Sequence, residues 1–346
     1  MNPASLIPAV TPIPVHWAWI DTLLVLTFTV HILLMNALFG GGVIALFNST
    51  KEREPLARAL SSRLPTVLAL VINFGVAPLL FLQTNYGIFD YTSSVFMGGW
   101  WLAVIPFLLL AYYALYVYDF RYSGMRAGRP ATLVLALLFL FFIGFMFSNN
   151  MTLMLRPEAW PDYFTAPDGL LLNLKDPTLY PRFLHFMTGA LAVGGLFAAL
   201  VGRCARLGRA VETGMKWFVR GTVINLFLGL WFLMALPREI MLQFMGGSLW
   251  ATGTLLASLC GAGLILYLGV KRSLLPAVLT TALTVLLMAV TRHFVRAFFL
   301  APYFSTQDIP STGQYSPMLL FLAALAAVLG VSGWMISLYI KVERRP

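Results

Sequence analysis

The chain has 346 residues, 60% of them hydrophobic and only 10% charged, with a mean hydropathy of +0.83 and a formal net charge of +10. That balance excludes a soluble globular domain and places the chain in a lipid bilayer. The basic excess does not read as a nucleic-acid footprint, because it is scattered over short loops rather than gathered into a patch.

Nine apolar runs are each long enough to cross a hydrocarbon layer of roughly 30 Å at 1.5 Å per residue. They span residues 17–47, 65–86, 98–118, 132–151, 183–201, 217–236, 249–268, 274–299 and 318–340. Because the runs are continuous rather than alternating, and a spanning helix satisfies its own backbone groups, they predict helices. The expected fold is an all-α integral membrane protein: one membrane domain over residues 1–346, built as a bundle of about nine transmembrane helices.

Residues through Pro14 lack the basic n-region of a cleaved signal peptide, and Trp17 and Trp19 read as an interfacial aromatic belt. His16 sits in that belt and reads as a snorkelling side chain rather than a ligand. In the first helix, His31 falls roughly 15 to 20 Å along the axis, near the middle of the bilayer. Gly40, Gly41 and Gly42 follow it and read as close helix packing, since no strand precedes them.

The second and fourth helices contribute Asn73, Gln83, Asn85, Asn149 and Asn150, which would either line a water path or make polar packing contacts. The longest extramembrane stretch, Arg156 to Arg182, is rich in Pro, Asp and Leu and is expected to cap one face. The fifth helix carries His185 in its first turn. The eighth places Arg292, His293 and Arg296 near its end. Cys204 in a loop and Cys260 inside a helix cannot pair, and no haem-attachment or iron–sulfur spacing is present. No soluble domain, low-complexity tract or internal repeat is evident.

Lysine and arginine fix the expected orientation. Alternate loops and the C-terminus carry Lys51, Arg53, Arg58, Arg63, Arg121, Arg126, Arg129, Arg203, Arg206, Arg209, Lys216, Arg220, Lys271, Arg272, Lys341, Arg344 and Arg345. The opposite side has only Arg156, Lys175, Arg182, Arg238, Arg292 and Arg296. The N-terminus is therefore expected outside and the C-terminus in the cytoplasm, in a prokaryotic inner membrane.

Imidazoles within a membrane must find partners or cost several kcal/mol, and iron in a haem would supply one. His31, His185 and His293 are the candidate iron ligands; the alternative is that each hydrogen-bonds a carbonyl between helices. A haem carries two propionates, and arginine pairs carboxylates bidentately, so Arg292 and Arg296 are the main propionate candidates and Arg182 and Arg238 weaker ones. Met35, Met187, Met234, Met241 and Met245 each offer a thioether, though methionine is also ordinary core packing. Every acidic residue, including Asp21, Asp90, Asp119 and Glu239, falls at a helix end or in a loop.

The segments TFTVHILLMNALFGGGVIALF, NFGVAPLLFLQTNYG, SNNMTLMLRP and DPTLYPRFLHFMTGALAVGG resemble corresponding parts of the large subunit of cytochrome bd-type quinol oxidases. The similarity covers about the first two hundred residues, with the remainder looser. It implies that His31 takes the place of the first-helix ligand of an active-site haem and His185 that of the fifth-helix ligand of a low-spin haem b. In RHFVRAFF, His293 stands where the family has a glutamate ligand. One to three haems b are implied, with haem d open for one of them, together with a second membrane subunit.

Three departures matter. Only about a dozen residues, Pro237 to Leu249, replace the family's long quinol-binding loop. The third helix, GGWWLAVIPFLLLAYY, lacks the family's paired glutamates, and the seventh, LWATGTLLASLCGAGLILYL, lacks its methionine ligand. The resulting expectation is a haem-binding subunit of a respiratory electron-transfer complex, an oxidoreductase that passes electrons near the outer face and possibly on to oxygen. Its expected donor is an extracytoplasmic cytochrome c or another redox protein. A cofactor-free transporter or assembly subunit is the alternative.

Overall fold

A computed structural model describes residues 3–49, 54–122 and 128–343. The chain is 83% helical and has no strands among these residues; one isolated bridge joins Ile13 to Ser311. Among the described residues, nine helices are long and apolar enough to cross a membrane. They are α1 (Trp17–Phe47), α3 (Leu64–Phe96), α4 (Gly98–Phe120), α5 (Arg129–Met154), α6 (Leu179–Cys204), α7 (Gly208–Ala235), α9 (Leu249–Val270), α10 (Leu274–Leu300) and α11 (Ser316–Glu343). Two short helices, α2 (Glu54–Ser61) and α8 (Arg238–Leu242), lie between them. Of the basic residues used for orientation, Lys51, Arg53, Arg126, Arg344 and Arg345 lie outside the described residues.

The helix ends follow local chemistry. His16 caps α1, its Nδ1 accepting the Ala18 amide at 3.3 Å, which is a structural task for the one histidine not expected to bind metal. Ser248 caps α9 in the same way. α7 stops before Pro237, which cannot continue it, and the chain turns through a π-turn whose Gly246 has φ +115, a value open to glycine.

The second helix runs past its expected end at Tyr86 and continues to Phe96, with a kink at Tyr86 (φ −124, ψ 19). The sequence turns polar there, but the polar side chains face protein. Asp90 is 2% exposed and Ser93 fully buried. Asp21, on α1, is 6% exposed. Asp21 and Asp90 thus lie toward helix ends, as expected, but protein rather than water surrounds them.

The fold is two tandem halves. α1 and α3 pair as do α6 and α7, and α4 and α5 pair as do α9 and α10; α11 stands outside with little buried surface. His31 Nδ1 lies 3.1 Å from Val71 O, and His185 Nδ1 lies 3.2 Å from Asn225 O. Gly75 and Gly229, four residues beyond those carbonyls, are the positions where a Cβ would run into the imidazoles, at 2.8 Å and 3.1 Å from the respective Cε1 atoms. Nine residues beyond the histidines, Gly40 and Gly194 meet backbone to backbone where α1 crosses α6. Each pair is separated by the same 154 residues (185 − 31). Both helices read H-x8-G-G-x3-A-L from their histidine. The chain thus does contain an internal repeat. It escapes inspection because so few identities carry it, and they are the residues the geometry needs.

The repeat also corrects the expected depths. α1 and α6 run parallel, since Gly40 packs on both Ala190 and Gly194 while Ile32 and Phe186 line one cavity. His31 and His185 each stand nine residues, about 13.5 Å, from the same crossing, so they lie at the same height. α1 is simply longer before its histidine, with 14 residues ahead of His31 against six ahead of His185 in α6.

Candidate functional site

The halves differ in their interiors. In the first, an apolar core including Leu38, Phe39, Leu68, Leu115 and Leu137, joined by Met187 from α6, packs between the helices. In the second, the corresponding core of Ala192, Leu196, Phe218, Ile265 and Ala277 occupies only one end. Beyond it lies a cavity of about 240 Å³ between α6, α7, α9 and α10, closed on one side by Phe28, Ile32 and Asn36 of α1.

His185 lines this cavity. With Nδ1 as the donor to the Asn225 carbonyl, the tautomer is set and the Nε2 lone pair is left free; no partner is found for Nε2 among the described residues. Thr188 Oγ1 donates to Asn225 Oδ1 at 2.8 Å and ties the two helices beside the ring. A metal-ligating imidazole is ordinarily oriented in this way, by a carbonyl on its second nitrogen.

Three arginines gather at the far end of the cavity from Phe218. Arg182 and Arg292 line it, Arg182 over the Phe232 ring at 5.1 Å and Arg292 over Phe28 at 4.4 Å. Arg296, 3% exposed, stacks over Tyr86 at 4.5 Å outside the cavity wall. Arg182 is 5% exposed, and its Nε and Nη2 find no acceptor; the same holds for Nε and Nη1 of Arg296. Arg292 is within electrostatic range of both. Clustered, desolvated guanidinium groups with unmade hydrogen bonds call for anions.

The donor set therefore fits a haem: one imidazole with a free lone pair, apolar walls, and two guanidinium groups at one end for two propionates. Among the described residues no group of three or more His, Cys, Asp or Glu is placed to hold a bare metal ion. An axial haem site needs only a single such side chain.

The remaining candidates are scattered. His31 is held as His185 is, but it does not line the cavity, and core side chains pack the half in which it sits. His293 faces Asp21, with Nδ1 3.9 Å from Oδ1 and no hydrogen bond on either atom; Tyr86 donates to the other Asp21 oxygen at 3.5 Å. Arg238 is exposed.

Of the proposed thioethers, Met234 and Met245 are exposed, Met35 and Met241 are half-buried, and Met187 packs against Gly144. None of the five lines the cavity. Met288, which sequence reasoning passed over, does. Arg182 likewise proves better placed than its position before the fifth helix suggested.

The intramembrane amides make packing contacts. Asn73 donates to Ala69 O, Gln83 to Asp90, Asn85 to Trp17 O and Asn150 to Ser94, while Asn149 accepts the Asn173 amide. Comparison of the chain with protein-family models, with curated proteins and with solved structures finds no match.

Proposed function

We propose that this chain is a haem-binding membrane subunit of an electron-transfer complex. On this reading His185 would hold the iron of a haem b in the cavity of the second half. The observation that carries it is the conjunction, in one apolar cavity, of a carbonyl-pinned imidazole and two guanidinium groups, one of them with unmade hydrogen bonds.

A bound haem would supply one-electron transfer. Asn225 O holds the imidazole in the tautomer that leaves Nε2 free, and Gly229 leaves room for the ring against α7. Arg182 and Arg292 would anchor the propionates. Phe218 and Ile265 line the opposite end, and the walls are mostly apolar.

The resemblance to the bd-oxidase large subunit supports the same reading. It brings with it an outside N-terminus, a prokaryotic inner membrane, a second membrane subunit and an extracytoplasmic cytochrome c or other redox protein as donor. The resemblance also implies iron-ligand roles for His31 and His293, neither of which lines this cavity.

The test is a reduced-minus-oxidised visible spectrum of the purified full-length protein. A haem α-band is expected, lost in His185→Ala and diminished in Arg182→Met. A wild-type protein purified from haem-replete cells and showing no such band would overturn the reading.

A further inference from the structure

The haem reading leaves the second axial position open, and the cavity answers it. α6 and α10 run antiparallel along the cavity, since Ala192 and Leu196 meet Leu274 and Ala277 at one end while Arg182 and Arg292 share the other. From Arg182, three residues inward along α6 reach His185; from Arg292, four residues inward along α10 reach Met288. At 1.5 Å per residue those steps are about 4.5 Å and 6 Å, so the imidazole and the thioether lie at nearly the same height on different walls.

No other strong iron donor lines the cavity. The hydroxyls of Thr222, Thr284 and Thr291 are each spent on a carbonyl of their own helix, and the two lining oxygens left without a partner, Thr281 Oγ1 and Asn36 Oδ1, are a neutral hydroxyl and a neutral amide, weak ligands for haem iron beside a thioether. α9, the helix across from α6 in the four-helix ring, presents only Leu255, Leu259, Ala262 and Ile265. An unbranched side chain with three rotatable bonds can bring its sulfur to an iron held at that height.

We propose that Met288 is the second axial ligand of the haem held by His185. This rests on the haem reading above and adds the coordination state to it. The haem is then six-coordinate and low-spin, closed to small gaseous ligands, and poised at a high potential by its thioether and by flanking positive charge. Such a centre relays electrons from a donor that is itself of high potential, which suits a c-type cytochrome better than a quinol.

The full-length protein and its Met288→Leu, Met288→His and His185→Ala variants are compared by visible and near-infrared spectra, redox titration and carbon monoxide binding. The bands lost in His185→Ala isolate the haem in question. In the wild type these bands are low-spin, carry the ferric thioether charge-transfer feature and do not respond to carbon monoxide. Met288→Leu turns them high-spin and reactive to carbon monoxide, and Met288→His restores the low-spin form at a lower midpoint potential.

If Met288→Leu does not accumulate, the wild-type charge-transfer feature and the Met288→His potential still decide the matter. Bands lost in His185→Ala but unchanged in Met288→Leu, or already high-spin in the wild type, overturn the Met288 assignment alone. Absence of haem bands from the wild type overturns both readings.

Discussion

Replacing Arg182 by methionine has opposite consequences in the empty and the loaded protein, which makes it the most searching perturbation of the site. The residue is 5% exposed, with Nε and Nη2 unpartnered. Asp176 is the carboxylate within electrostatic range, and it is already engaged by Arg156 at 2.9 Å. Burying one ion costs several kcal/mol, of which the Phe232 ring face returns about 2 kcal/mol, so roughly 2 kcal/mol of unrelieved cost remains without an anion.

Met keeps most of the stem volume and removes the charge. Apo-protein made in haem-deficient cells should therefore be stabilised by about 2 kcal/mol in Arg182→Met, read as a shift of the denaturant midpoint in detergent. In the loaded protein the same change removes one partner of a buried charge pair. A loss of 3–5 kcal/mol corresponds to roughly a hundred- to several-thousand-fold weaker haem retention. An apo-protein destabilised by Arg182→Met, with haem retention unchanged, would refute the reasoning and make the guanidinium a structural element.

Three further outcomes are expected. Gly194→Ala sets a methyl group 2.5 Å from Gly40 Cα, backbone that cannot step aside, and should cost about 3 kcal/mol or more in thermal melts. Gly263→Ala, with nothing within 4 Å of the new Cβ, should leave the melt unchanged or raise it by up to about 1 kcal/mol. At the surface, partial burial and its 2.8 Å hydrogen bond to Glu158 raise the Tyr303 hydroxyl above its usual pKa near 10. Its contribution is complete below the unfolded pKa and fades as pH rises through the folded one. The wild-type melting temperature should thus fall more steeply than that of Tyr303→Phe in a series taken upward from pH 9.

The spans were legible because lipid demands continuous apolar runs, and all nine are present. What the sequence hid was polarity buried by neighbours. Asp90 and Ser93 lie inside α3, where hydropathy has already fallen, and α7 begins at Gly208 rather than Trp217 because its first turns carry charge beyond the apolar run. His185 could be singled out as an imidazole in an apolar helix, but its carbonyl partner 40 residues away could not. Met288 is one of 15 methionines, and only the cavity distinguishes it. Arg182 looked like loop until α6 was found to start at Leu179.

The Gly40–Gly194 crossing bears on ancestry. Two like units meeting at a glycine contact, related by a parallel superposition, are what a symmetric homodimer becomes when its gene is duplicated and fused. In this chain the second unit is hollow where the first is packed, a difference closed to two identical subunits. A chain severed between Ala166 and Gly169, in the exposed stretch joining the units, should then reassemble from two separately translated pieces.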